Sequence, residues 1–476
     1  MDGTLQTTAS QEYSCAIEES VTLEAVAADG YQFDGWEGSL TGSENPTNVT
    51  VPEDTVVTAR FASIPDDSSA KALYFPHVAS NNMWETEICL INKSANSLSG
   101  TISTYSANGA RISGKSLFLR GYGRKAMIVG DEFSNPADIA YVIFSSDSED
   151  VCAYTKFYQE GALRVAVPAV QETNTGVIYI PHIASNSNWW TGLALVNTTD
   201  VQKDLRIRFS NGDLKRKSLT PGEHTKFPIK ELFGGASQSE IESAFIRGGE
   251  GVIGLELFGR GNTLSGVLLK DSAANTLYFP HVASGPDWWT GIVAYNPGTS
   301  KASLTVTPYT AAGQALSTTR KDIAGRGKLF GNPGDLELPA NADWFKVESS
   351  QPLNGFELFG SSNGNKLAGY STVNIQRREG VFPKLEQQGW TGIAFVNTTA
   401  GVARIDLTLY DDDGFEIHKE RRTLAAHEKV LKTAADMFAG PIVAASYLRF
   451  SSDKDVVGFQ LNNSSDDMML DALPGM

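Results

Sequence analysis

The sequence has few sulfur-containing residues and no long apolar run. Among 476 residues there are 3 Cys, and Cys15, Cys89 and Cys152 are widely spaced without a Cys-x-x-Cys pair. This pattern predicts neither a disulfide framework nor a zinc site, and Cys89, within an apolar run, is expected to be buried. No apolar stretch reaches the roughly 18–20 residues of a membrane-spanning helix. We expect no insertion into a membrane.

Positive charge is also scarce. Lys and Arg number 39 against 55 Asp and Glu, which gives a formal charge of -16. Such a chain has no general attraction for phosphate backbones or anionic lipid, so nucleic acid is not an expected partner. The first residues contain neither a charged segment nor an apolar leader, which fits a cytosolic protein or the mature form of an exported one.

Signatures of common enzymes are missing. The sequence has no Gly-x-Ser-x-Gly, no His-Glu-x-x-His, no Walker loop and no dinucleotide fingerprint after a strand. We therefore predict a protein that is not an enzyme, with no catalytic residue, no metal and no cofactor.

An internal repeat organises most of the chain. Residues 73–80 read Leu-Tyr-Phe-Pro-His-Val-Ala-Ser, and close copies occupy 178–185 and 277–284, with a degenerate copy at 381–384. Each copy is followed by Trp, Thr and Asn at nearly fixed spacing; the Thr and Asn are Thr86, Thr191, Thr290, Thr391, Asn92, Asn197, Asn296 and Asn397. A period of about 100 residues predicts four tandem modules. We place them at 73–176, 177–276, 277–379 and 380–476.

Each module is expected to be all-β. Short apolar runs end at Asn, Asn-Gly and Asp-Gly pairs mark hairpins, and only residues 229–233 suggest a short helix. Seven or eight strands per module favour an immunoglobulin-like β-sandwich. The alternative is a β-propeller-like ring, which predicts that the first and last modules touch.

The N-terminal residues 1–63 do not follow the repeat. Residues 30–38 read Gly-Tyr-Gln-Phe-Asp-Gly-Trp-Glu-Gly, and this region resembles the divergent internalin-type B-repeat of bacterial surface and secreted proteins. The resemblance implies a small β-grasp-like module without an active site, and localisation outside the cell. Residues 64–72 are predicted to be a linker. The four larger modules look like a repeat of secreted bacterial proteins with no known activity.

The recurring His and the Trp pairs are the candidate site residues. His77, His182 and His281 lack companions at metal-ligand spacing, so we interpret them as buried and hydrogen-bonded to the backbone or a Thr hydroxyl, although a closed ring could gather them around one axis. In the pairs Trp189-Trp190 and Trp288-Trp289 the two rings should face opposite sides of a strand. One ring of each pair could then stack on a sugar; alternatively, both pack, one of them between modules. The predicted ligand-binding residues are Trp189, Trp190, Trp288, Trp289, His182 and His281.

Other motifs have structural interpretations. Glu256 and Glu357 are equivalent residues of different modules with no reason to meet as a glycosidase pair, and a solvated or capping role is expected. The Asp411–Asp413 run before Gly414 fits a hairpin better than a calcium loop. Asn197 and Asn397 precede Thr-Thr and so match a glycosylation sequon, but both occupy the recurring turn, and an Asx-turn is a sufficient explanation.

The predicted function is adhesion or scaffolding by a secreted or cell-surface bacterial protein. The expected partner is an extracellular glycan or a surface protein, contacted through the Trp-bearing edges of modules two and three. The alternatives are a secreted hydrolase or its accessory region, and a spacer. The oligomeric state stays open.

Overall fold

A computed structural model of the chain describes residues 19–25, 31–42, 46–51, 55–63, 71–283, 285–371, 373–438 and 442–476. Cys15 and most of the expected linker lie outside these residues. The fold is all-β, as predicted. Its helical segments are α1 (Val129–Glu132), α2 (Ala434–Met437) and two 3-10 turns, Pro136–Asp138 and Ile229–Phe233. The second 3-10 turn is the short helix expected from the sequence. No helix of the described residues is long and apolar enough to span a membrane.

The N-terminal region forms a small β module. Its strands are β1 (Glu19–Leu23), β2 (Tyr31–Gly38), β3 (Thr47–Val51) and β4 (Val57–Ser63). They pair antiparallel as β1 with β3 and β2 with β4. Trp36 is buried against Phe33, with ring centroids 4.9 Å apart, and the Phe61 ring lies 6.1 Å from that of Phe33. Phe33 and Trp36 of the motif therefore supply packing.

The remaining strands form four modules of similar design. Module one contains β5 (Lys71–Phe75), β6 (Glu85–Asn92), β7 (Leu98–Tyr105), β8 (Arg111–Leu119), β9 (Arg124–Ile128), β10 (Tyr141–Ser146), β11 (Val151–Gln159) and β12 (Leu163–Pro168). Module two contains β13 (Ile178–Ile180), β14 (Trp190–Asn197), β15 (Lys203–Phe209), β16 (Leu214–Leu219), β17 (His224–Pro228), β18 (Ala244–Arg247), β19 (Val252–Arg260) and β20 (Thr263–Leu268). Module three contains β21 (Ala274–Phe279), β22 (Trp288–Tyr295), β23 (Ala302–Tyr309), β24 (Thr319–Ile323), β25 (Lys328–Gly331), β26 (Trp344–Ser361) and β27 (Leu367–Tyr370). Module four contains β28 (Arg377–Phe382), β29 (Trp390–Asn397), β30 (Ala403–Tyr410), β31 (Glu416–Leu424), β32 (Lys429–Thr433), β33 (Tyr447–Asn463) and β34 (Leu470–Pro474).

Each module is a sandwich of two antiparallel sheets, which confirms the predicted architecture. In module one the sheet orders are β5-β10-β7-β8 and β12-β11-β6-β9, and module two repeats them as β13-β18-β15-β16 and β20-β19-β14-β17. In modules three and four the sixth and seventh strands are fused into the long strands β26 and β33, which run through both sheets. Each sandwich encloses its own hydrophobic core.

The recurring Asn holds together the end of each sandwich. Asn197 is fully buried, and its Nδ2 donates to the carbonyl oxygens of Val201 and Thr220 at 2.8 and 2.9 Å. Its Oδ1 accepts the backbone N–H of Thr199 at 3.1 Å, which is the predicted Asx-turn. Asn92, Asn296 and Asn397 make the same bonds. The sequence repeat therefore reflects turn geometry at this position.

The four modules close into a ring. The last strand of each module contacts that of the next, β12 with β20, β20 with β27 and β27 with β34, and β34 returns to β12. Hydrophobic clusters span the contacts, for example Phe157 and Val165 with Leu255 and Leu264. The modules are thus sandwiches, and the first and last also touch, as the ring alternative required.

The contact that closes the ring is rich in charge. Arg164 of module one pairs with Asp471 and Glu386 of module four, at 2.6 and 3.0 Å, and all three side chains are largely buried. Arg124 of module one reaches Asp412 at 2.8 Å, so the Asp run belongs to a hairpin that contacts module one. Nearby, Cys89 and Cys152 are buried free thiols, and burial raises their pKa to about 11 and about 12.

Candidate functional site

One contact between modules recurs at the start of the fifth strand. The first residue of that strand is His or a basic residue in every module: Arg124, His224, Lys328 and Lys429. Lys328 Nζ lies 2.9 Å from Nδ1 of His182 in the preceding module, and Lys429 Nζ lies 2.7 Å from Nδ1 of His281. His77 Nδ1 lies 3.1 Å from Nε2 of His224. The recurring His therefore joins each of the first three modules to the next.

The His182 ring is neutral in this contact. A Lys ammonium can only donate, so Nδ1 of His182 accepts and the ring proton is on Nε2. Burial, reinforced by the charge of Lys328, lowers the pKa of His182 to about 3. Burial also lowers the pKa of Lys328 to about 8, and the Glu242 carboxylate opposes this effect. Lys328 Nζ donates to the carbonyl oxygen of Glu242 at 2.6 Å as well, so two acceptors hold the ammonium in place.

The interpretation of the recurring His as buried was right for His77 and His182, whereas His281 is half-buried, and the expected Thr hydroxyl partner was wrong. His77 and His182 are buried, but the Thr191 hydroxyl accepts the backbone N–H of Ala184 at 2.9 Å and stabilises the loop that follows the His. The His ring instead points out of its sandwich, and His182 stacks on Phe330 of module three with centroids 4.5 Å apart. The described residues contain no group of three His, Cys, Asp or Glu side chains suited to hold a metal ion.

The expected solvated role of Glu256 and Glu357 was wrong. Both side chains are fully buried, and none of their carboxylate oxygens has a hydrogen-bond partner among the described residues. Burial raises the pKa of Glu256 well above its ordinary value, against a smaller opposing effect of Lys328, and the pKa of Glu357 is raised in the same way beside Lys429. Their strands lie between two neighbouring modules: on β19, Leu255 packs against module one and Phe258 against module three. On β26, Phe356 packs against module two and Phe359 against module four. Sequence alternation within one module does not reveal this burial.

The contact between modules two and three differs from the other three. Elsewhere the backbone N–H that begins the fifth strand donates to the hairpin of the preceding module: His224 to Ala107, Lys429 to Ala311 and Arg124 to Asp412, at 2.8–2.9 Å. Gly109, Gly313 and Gly414 of those hairpins abut the next module. A Cβ on Gly212, at the tip of the hairpin of module two, would meet nothing within 4 Å. This hairpin does not cover the start of β25.

A cleft of about 540 Å³ lies at this less covered contact. Its walls come from both modules and include His182, Trp189 and Phe258 from module two. Module three contributes Trp289, Lys328, Phe330, Asn332 and Asp335. Asn186 Oδ1 accepts the backbone N–H of Trp189 at 2.9 Å, and Asn332 Oδ1 accepts that of Asp335 at 3.1 Å, so local turns fix both walls.

The two Trp of each pair face opposite sides. Trp189 and Trp289 both join the hydrophobic cluster between modules two and three, whereas Trp288 joins the cluster between modules three and four. Trp190 is 40% exposed and lies over Gly192 and Gly259 of its own module, outside the cleft. The alternation expected for an extended strand therefore holds. Both rings of the pair in module three contact a neighbouring module, whereas Trp190 packs on its own module.

Three of the six predicted ligand-binding residues, His182, Trp189 and Trp289, line one cleft. Trp190, Trp288 and His281 belong to other contacts. Sequence reasoning missed Lys328 and Phe330. The available signal was the basic or His residue after the turn in every module, which aligning the four modules at that strand would have revealed.

The comparison with known families concerns the N-terminal region. Residues 1–65 match the family described as the divergent InlB B-repeat domain, which confirms the resemblance found in the sequence. This domain is typical of bacterial surface proteins. The match does not extend to the ring of four modules, and no curated protein matches the chain.

Proposed function

We propose that this chain is a non-enzymatic bacterial surface or secreted protein that binds a carbohydrate in the cleft between modules two and three. The observation that carries the proposal is the meeting of Trp189 and Trp289, from different modules, in one cleft beside Lys328. Aromatic faces accept the apolar side of a sugar ring, and a few placed polar groups fix its orientation.

The dimensions and chemistry of the cleft support this proposal. A volume of about 540 Å³ falls within the range of roughly 300–1,000 Å³ that is usual for small-ligand sites. Lys328 offers an ammonium donor, while Asn332 and Asp335 offer an amide and a carboxylate for hydroxyl groups. Adhesion or scaffolding through a surface glycan follows from such a site on a surface protein.

A glycan-array screen of the intact chain tests the proposal. The variants are Trp189→Ala with Trp289→Ala, and, as a matched control, Trp190→Ala, which removes an indole outside the cleft. We expect hits for the wild type and the control that weaken at least tenfold in the double variant, with near-ultraviolet circular dichroism showing that it remains folded.

Three results would overturn the proposal. An empty array would favour a spacer. Hits that persist in the double variant would place binding elsewhere. Release of shortened products from a bound glycan, lost in the double variant, would identify a hydrolase.

A further inference from the structure

The outer sheet of module two carries a row of three arginines. Arg206 on β15 lies directly opposite Arg216 on β16 and Arg247 on β18. All three side chains are exposed, while the alternate residues Leu205 and Ile207 are buried in the sandwich core. Neighbouring strands lie about 4.8 Å apart, so the three side chains project from one face of the sheet along a line of roughly 10 Å.

This row has no ion-pair partner among the described residues. Like charges directly opposite one another destabilise a sheet, and among the described residues none of the three arginines has a carboxylate within 4.0 Å. Asp204 lies on this face. Hydrogen bonds from Ser218 and Gln202 lower its pKa, and Arg216 adds a smaller attraction without forming an ion pair. The arrangement is unexpected in a chain of net charge -16.

The same row is balanced in the next two modules. In module three, Thr305 occupies the position of Arg206, next to the buried Val306. It lies between Arg320 and Glu348 on the neighbouring strands. In module four, Asp406 occupies this position, next to the buried Leu407. The guanidinium of Arg421, directly opposite, donates to both carboxylate oxygens of Asp406 at 2.6 and 3.0 Å. The unbalanced charge is therefore a feature of module two and not of the sandwich design.

We propose that the arginine row, defined as Arg206, Arg216 and Arg247, binds the carboxylates of an acidic polysaccharide. A guanidinium group can donate two parallel hydrogen bonds to one planar carboxylate. The row lies on a sheet face and not in a cleft, so an extended chain can run along it while the acidic remainder of the surface stays out of reach. A nucleic-acid duplex or an anionic membrane would bring a broad negative surface against that remainder, which opposes binding.

The test is binding of the intact chain to immobilised polygalacturonate. A variant carrying Arg206→Gln, Arg216→Gln and Arg247→Gln is compared with a control carrying Arg320→Gln, Arg404→Gln and Arg421→Gln, which loses the same charge from exposed positions of modules three and four. We expect wild type and control to bind and the row variant to bind at least roughly tenfold more weakly. The row variant should unfold at the same or a higher temperature than wild type, because repulsion between like charges is removed.

Equal binding by the row variant would overturn the proposal. So would equal or tighter binding of wild type to duplex DNA or to vesicles of anionic lipid than to polygalacturonate. Tight binding to neutral dextran would show that charge is not the basis. The Trp189→Ala, Trp289→Ala variant should keep its affinity for polygalacturonate, which separates this surface from the cleft.

Discussion

His182 and Lys328, from neighbouring modules, are joined by a hydrogen bond of 2.9 Å in which the ammonium donates to Nδ1. His281 and Lys429 repeat the arrangement one module later. The His must be neutral in both, because a doubly protonated ring has no acceptor to offer. The junctions between modules are therefore sensitive to acid.

We predict that acid weakens the fold through these His residues. The pKa of His182 is about 3 in the folded chain, against about 6.5 when unfolded. Between these values the unfolded chain binds a proton that the folded chain does not, so stability falls as pH falls through this window. From pH 7 to pH 5, wild type should lose roughly 2 kcal/mol more unfolding free energy than His182→Gln.

Thermal and urea unfolding at the two pH values measures this difference. His418→Gln, which alters a partly exposed His of module four, is the control and should follow wild type. Equal losses for wild type and His182→Gln would contradict the assignment of a neutral His182.

Glu256 gives the opposite pH dependence. Its pKa is raised by burial, so above an unfolded pKa of about 4.3 the folded chain retains a proton that the unfolded chain releases, and stability falls as pH rises. Glu256→Gln should therefore raise the unfolding temperature at pH 7 and change it little at pH 4. At the position equivalent to Glu256, module four already has an amide side chain, Gln460. Its Nε2 donates to the carbonyl oxygen of Lys384 at 2.7 Å.

The control is Glu250→Gln, at an exposed position, which should leave the unfolding temperature unchanged at both pH values. A destabilised Glu256→Gln at pH 7 would mean that the buried carboxylate is ionised and paired.

Gly360 leaves space for the indole of Trp289, which lines the cleft. A Cβ at this position would overlap the indole of Trp289. Gly360→Ala should displace that indole, lower the unfolding free energy by about 1–3 kcal/mol and shift the tryptophan emission spectrum. Gly176→Ala is the matched control, because a Cβ there meets nothing within 4 Å. Identical emission spectra for the two variants would show that Trp289 is not held where the structure places it.

The ion pairs that close the ring are predicted to contribute more to the unfolding free energy than ion pairs on the surface. Arg164→Met leaves the buried Asp471 without its positively charged partner and should cost about 3–5 kcal/mol of unfolding free energy. Arg404→Met removes an exposed pair with Asp453 and should cost no more than about 1 kcal/mol. Urea unfolding of both variants measures the contrast, and similar small losses would argue against a buried contact between modules one and four.

The sequence predicted whatever is local to one module. Strand alternation, the Asn197 turn, the Gly212 hairpin position and the opposite facing of Trp189 and Trp190 follow from backbone geometry and could be inferred. The partners of His182 and the burial of Glu256 could not, because both depend on the neighbouring module, 146 residues further on in the case of Lys328. The cleft also depends on the hairpin of module two, which does not extend over the start of β25.

Small-angle X-ray scattering of the intact chain in solution tests the closed ring most directly, since the cleft and the charged closure both depend on it. A compact chain of 476 residues should have a radius of gyration of about 23 Å. Four modules of about 100 residues joined end to end in a rod would give about 40 Å. We predict a value close to the first, and a value near the second would contradict the ring and the site it assembles.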